Sequence, residues 1–199
     1  MDDKPTGDAK YIKEGGVGHE IANFALSNGF YYGFVETKSA NGKAWTIRIE
    51  NIDSSAAKAE KIDNVLVIWC ATDKKRGGKY IIGCYNNATV YRNRQPAPSD
   101  SKRGELYEKG ILETADYMIL CRENDAVLIE SERRFFRVPT ARTDGYGFGQ
   151  SNLWYPTKSN NKELEEYLDS VRQYINSESS RATRMTEAME FLLANSTKQ

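Results

Sequence analysis

Residues 145–156 read GYGFGQSNLWYP and carry no charge. Gln150, Ser151 and Asn152 stand on a glycine-rich stretch directly before Trp154 and Tyr155. Side-chain amides offer a donor and an acceptor together, so they can pair with the edge of a nucleobase, while aromatic rings stack on its faces. Tyr85, Asn86 and Asn87 form a second uncharged polar group, and Trp69 stands in an apolar run that suits a core residue as well as a pocket wall. The cationic side chains gather in the flanking segments, where phosphate contacts would want them. They are Lys74, Lys75, Arg76 and Lys79, then Arg92, Arg94, Lys102 and Arg103, then Arg133, Arg134, Arg137 and Arg142. The base-binding set expected from this separation is Trp69, Tyr85, Asn87, Gln150, Ser151, Asn152, Trp154 and Tyr155. The phosphate-binding set is Lys74, Lys75, Arg76, Lys79, Arg92, Arg94 and Arg142.

Most catalytic chemistries lack their residues. His19 is the single histidine, and no GxSxG elbow accompanies it. Cys70, Cys84 and Cys121 are widely spaced with no CxxC, which suits buried thiols in a reducing compartment better than a zinc site. GGVG lacks dinucleotide-binding spacing, and no phosphate-binding P-loop occurs. No metal and no cofactor are expected. A metal-dependent nuclease using Glu130 and Glu132 on one strand face is the enzymatic alternative; a protein-interaction subunit is the other.

Positioning these groups requires strands. FYYGFVET (30–37) and AWTIRIEN (44–51) read as strands around an Asn41-Gly42 hairpin, with Trp45, Ile47 and Ile49 inward. Ser54 or Ser55 would cap a short helix. NVLVIWCAT (64–72) reads as a central strand buried on both faces. KYIIGCYNNATVYR (79–92) is one long strand or two short ones, bent at Gly83 and bulged at Asn86-Asn87. Residues 93–104 read as a loop, 116–123 and 126–132 as strands around an Asn124-Asp125 turn, and 134–142 as extended up to Pro139. Helical spacing over 160–177 and again over 181–195 predicts two C-terminal helices. The fold class is α+β: a curved, mostly antiparallel, barrel-like sheet of six or seven strands over residues 1–156, with flanking helices, then a helical extension over 157–199.

The 199 residues carry 28 basic and 28 acidic side chains, so total charge gives no sign of a polyanionic partner; only the middle of the chain leans basic. No apolar run is long enough for a membrane span, and the polar start is unlike a signal peptide, so the expected location is cytoplasmic.

VLVIWCATDKKRGGKYIIGCYNNATVYR and VPTARTDGYGFGQSNLWYP, with GGVGHEIANF and NGFYYGFVE before them, resemble the N-terminal DNA-reading region of bacterial HNH-type, modification-dependent restriction endonucleases. The resemblance covers residues 11–156. It implies a PUA-like domain of the EVE and YTH kind, which takes one base, methylated cytosine among the choices, into an aromatic-walled pocket. It implies a DNA partner, more than RNA, and a nuclease domain or subunit beside it. The HNH residues themselves are absent, and position 84 is Cys where the pattern has an aromatic.

Overall fold

The computed structural model describes residues 22–37, 46–156 and 161–196. His19, Trp45 and the Asn41-Gly42 turn lie outside them. The chain separates into two compact units, Met1–Thr157 and Lys158–Gln199.

The first unit is built on one antiparallel sheet that curls into a half-barrel, with strands β1 (Phe30–Gly33), β2 (Lys61–Thr72), β3 (Lys79–Gln95), β4 (Tyr117–Arg122), β5 (Ala126–Leu128) and β6 (Arg137–Val138). The order is β1-β4-β3-β2, and β5 and β6 also pair with β3. β3 is therefore the spine. It holds β2 along one edge and β6, β5 and β4 in succession along the other. Helices α1 (Lys102–Glu108) and α2 (Ala141–Asp144) belong to this unit.

Several expectations need correction. β2 lies at the edge of the described sheet, and only Trp69 of its residues is buried; its apolar run reflects the many partly covered positions of a curled sheet. The Asn124-Asp125 turn is there, as the 3₁₀ residues 123–125, but the strand after it is short: β5 ends at Leu128, and β4 and β5 both pair with the same side of β3. Residues 44–51 give no strand among those described; Ile49–Asn51 is a 3₁₀ turn, although Ile47 and Ile49 do point inward. A 3₁₀ turn also replaces the helix at Ser54–Lys58, capped by Asp53, whose carboxylate accepts from the Ser55 N–H at 2.9 Å. Residues 102–108 are helix α1 and not loop, with Ser101 as the N-cap. Gly104 lets that helix approach the chain before it: a Cβ there would meet the Pro98 and Ser99 carbonyl oxygens at 2.6 Å.

The core is one cluster of side chains from the sheet and from the segments before and after β1. Trp69, Tyr85, Val35, Ile47, Ile49, Val90, Met118 and Ile119 pack in one cluster, bordered by Phe24 and Tyr31. The Trp69 and Tyr85 rings meet edge to face at 5.3 Å, and Phe24 meets Tyr85 at 5.4 Å. Gly33 makes this possible, because a Cβ at that position would stand 2.8 Å from Trp69 Cζ2 and 3.0 Å from Tyr85 Cε2.

The second unit is one helix, α3 (Lys162–Ser196), in place of the two expected. NSESSRA at its middle contains no Gly or Pro, and serine costs only about 0.5 kcal/mol in a helix interior, so nothing stops the turns from continuing. No helix of the described residues is long and apolar enough to cross a membrane.

Candidate nucleic-acid interface

β2 and β3 are joined by the turn at residues 73–78, and the sequence organises it around one carboxylate. Asp73 accepts the backbone N–H groups of Lys75 (2.8 Å) and Arg76 (3.0 Å), and pairs with Arg76 Nε at 2.6 Å. These hydrogen bonds, that of the Arg76 backbone foremost, hold the Asp73 carboxyl down at about 2. Gly77 and Gly78 close the turn at positive φ, 71° and 91°. With the turn fixed from inside, Lys74 and Lys75 are left exposed, without an ion-pair partner among the described residues. The Arg76 guanidinium lies over the Tyr80 ring, 3.9 Å from its centroid.

The GYGFGQSNLWYP loop comes to the same end of the sheet. β6 pairs Val138 with Lys79 and Arg137 with Tyr80. Pro139 then ends the ladder, as expected, and α2 carries Arg142 into solvent. The Asp144 carboxylate accepts from the Thr140 N–H at 2.8 Å and the Thr143 hydroxyl at 2.7 Å, and lies 3.9 Å from Arg137. Those hydrogen bonds lower its pKa. Phe148 donates its N–H to the Pro139 carbonyl at 3.0 Å and accepts from the Ala141 N–H at 2.9 Å, closing the loop. Gly147, at φ 106°, packs so tightly on Pro139 that a Cβ would fall on its carbonyl. Phe148 is thereby set beside Lys79, whose Nζ is 5.2 Å from the ring centroid, and 6.0 Å from Trp154.

Lys74, Lys75, Arg76, Lys79 and Arg142 therefore share the tip with Tyr80, Phe148 and Trp154, while Asp73 turns its oxygens to backbone N–H groups and the Arg76 guanidinium, and Asp144 to the Thr140 N–H and the Thr143 hydroxyl, with Arg137 beside it. Cationic heads between aromatic faces are the equipment for holding a polyanion and stacking its bases. Gln150 is exposed on this loop. Its neighbours serve the loop itself: the Ser151 hydroxyl accepts from the Leu153 N–H at 3.0 Å, and the Asn152 amide donates to the Glu36 carbonyl at 2.9 Å. The Tyr155 hydroxyl accepts from the Arg48 N–H at 3.2 Å. Its ring packs against the core, and burial raises its pKa.

The remaining members of the expected sets lie elsewhere. Trp69 is 9% exposed and Tyr85 fully enclosed, so neither walls an open pocket. The Tyr85 hydroxyl donates to the Asn23 carbonyl, and burial pushes its pKa far up. An unbroken apolar run is how a core tryptophan reads, and that reading outweighs the pocket wall. Asn87 lies mid-way along β3, outside the tip. Arg92 is committed inside: Nε and Nη2 donate to the carbonyls of Ala59, Ala56 and Ala57, and Nη1 pairs with Glu50 at 2.7 Å. It clamps residues 49–59 to β3 and holds no phosphate. Arg94 lies over Phe34, 5.1 Å from its ring. Arg92 and Arg94 are 13 and 15 residues from Lys79, roughly 40–50 Å along an extended strand.

Glu130 and Glu132 do not share a strand face, since β5 stops at Leu128 and a 3₁₀ turn follows at Ser131–Arg133. Among the described residues no three His, Cys, Asp or Glu side chains gather as metal ligands would. The expected base-binding and phosphate-binding sets left out Tyr80 and Phe148, and Arg137 stood only among the flanking cations. The alternation in KYII and the pairing of RFFRV with it were the signals available. Set beside family models, curated proteins and solved structures, the chain matches none.

Proposed function

We propose that this chain is a DNA-binding module that engages the polyanion with the β2–β3 tip and the adjoining glycine-rich loop. One observation carries the reading: five cations and three aromatic rings meet at a turn and a loop that are both braced by internal hydrogen bonds. Lys74, Lys75 and Arg142 hold phosphates with Arg76 and Lys79 behind them. Phe148 and Trp154 receive a base that is flipped or unpaired, and Gln150 reaches its edge. Recognition of a modified base, methylated cytosine first, follows from the resemblance to modification-dependent restriction endonucleases, which also supplies a nuclease subunit or domain as the natural companion. The reader differs from the one expected in sequence, because Trp69 and Tyr85 belong to the core and Trp154 is the tryptophan that remains.

Anisotropy titrations with matched duplexes, one holding cytosine and one 5-methylcytosine, and with the single strand, test this across 50–300 mM salt. Five phosphate contacts give a slope of about −4.5 in log K against log salt on duplex. The modified duplex is expected to bind about tenfold tighter or more. Absence of binding to every probe near 20 mM salt overturns the DNA reading, and equal affinity for both duplexes overturns the modified-base part.

A further inference from the structure

Well away from the tip, three neighbouring strands lose their regular pairing at the same level. The β2–β3 register shifts between Ile62 and Val65 and again before Val67. On β3, Asn87 adopts φ 49°, and on β2 Asn64 adopts φ 61°. Across β3 from β2, the 3₁₀ turn Glu123–Asp125 separates β4 from β5. The other left-handed non-glycine residue among those described, Asn28, sits in the tight turn between Ser27 and Phe30, where that conformation is ordinary. Left-handed asparagines inside two adjacent strands are not ordinary; bulges of this kind re-aim side chains and are retained at functional sites.

The interruption leaves an open cleft of about 430 Å³, lined by Asp63, Asn64, Asn87, Thr89, Arg122 and Asp125. It is shallow and open to solvent, with Asp63, Asn64, Asn87 and Arg122 exposed. Thr89 Oγ1 donates to Asp63 at 2.6 Å and Lys61 Nζ pairs with the same carboxylate at 3.4 Å, both groups of that pair being half exposed, while Asn87 Nδ2 donates to Asp125 at 2.9 Å. The Thr89 hydrogen bond, as the main cause, lowers the Asp63 pKa and keeps it anionic. Asn64 and Arg122 are exposed, and neither side chain has a hydrogen-bond or ion-pair partner among the described residues. Both signs of charge thus line one concavity, with amides between them. None of its lining residues is aromatic, so it has no stacking wall for a base.

We infer that this cleft binds a small zwitterion of the α-amino-acid type. The Asp125 carboxylate takes its ammonium group, with Asp63, already paired with Lys61, as the second acceptor. Arg122 and the Asn64 amide take its carboxylate, a pairing that a planar guanidinium makes with two parallel hydrogen bonds. The inference is independent of DNA binding at the tip.

Saturation-transfer NMR on the full chain, with the twenty free amino acids as probes, tests it. At least one is expected to bind with a Kd of about 1 mM or tighter and to shift the amides of residues 63–65, 87–89 and 122–125. Its N-acetyl derivative and the Arg122→Met variant should each bind about tenfold more weakly, as losing one charged partner implies. Asn64→Gly is the structural control, because glycine accepts φ 61° freely. Its Tm should hold within a few degrees or rise, while affinity falls about threefold or more, the cost of one neutral hydrogen bond. No binding up to about 10 mM, equal binding of the N-acetyl derivative, or shifts at these residues by glucose or a nucleoside but by no amino acid would each overturn it.

Discussion

Changing Lys74, Lys75 and Arg142 together to glutamine is expected to lower duplex affinity at 0.1 M salt by roughly two to three orders of magnitude and to flatten the salt slope by about 2.7. The number follows from counterion release: each phosphate contact contributes about 0.9 to the slope, and nearly a factor of ten to affinity at that ionic strength. These three cations were chosen because they are exposed and have no ion-pair partner among the described residues, so their loss leaves no buried group stranded. Thermal stability should move by no more than about 0.5 kcal/mol. Arg76 is a poorer choice. It is tied to Asp73 and lies over Tyr80, so its replacement would loosen the turn as well as remove a charge. Lys109→Gln, at the exposed end of α1, is the control for a single charge and should change affinity less than threefold, since a rim charge away from the contact acts only at long range. A loss in the control as large as that of Lys74→Gln alone would mean that binding follows overall charge and not the tip.

The second large effect is on stability. Trp69→Ala should cost about 3–5 kcal/mol, because it removes a ring packed on Tyr85, Phe24 and Gly33 and leaves a cavity where the sheet curls. The protein that remains folded should bind DNA as the parent does. A pocket wall would behave in the opposite way, with binding lost and stability changed by less than about 1 kcal/mol. Urea unfolding and anisotropy on the same preparation separate the two. The Trp69 indole N–H has no hydrogen-bond partner in the described structure. Leaving a buried donor unpaired costs about 1–3 kcal/mol, so Trp69→Phe should be far milder than Trp69→Ala.

Features set by local chemistry were legible in sequence. KYIIGCYNNATVYR is the β3 spine because β-branched and aromatic residues run through it, and its bulge falls at Asn87, a residue type that tolerates positive φ. Pro139 ends β6 because it has no N–H for the ladder. Ile47 and Ile49 point inward, yet their segment is not a strand: alternation reports which side chains are covered, not whether the backbone has a partner. What depended on tertiary pairing could not be read. The segment from Tyr117 to Val138 runs as three short pieces along one side of β3, and nothing local to residues 126–132 shows that the strand stops at Leu128 or that its partner is β3. Arg92 looked like its neighbours in the basic loops, but three carbonyls and Glu50 claim it. The site was half legible for the same reason. The turn cations and Trp154 were visible as types in a pattern, whereas Phe148 and Tyr80 join them only through the pairing of β6 with β3.

Amide chemical-shift mapping with a short oligonucleotide measures the location of the interface directly. Shifts concentrated in residues 73–80 and 140–154, weakening as salt is raised, are the expected result. Shifts confined to the Arg92–Arg94 end of β3 and to α1, or a spectrum unchanged at low salt, would contradict it.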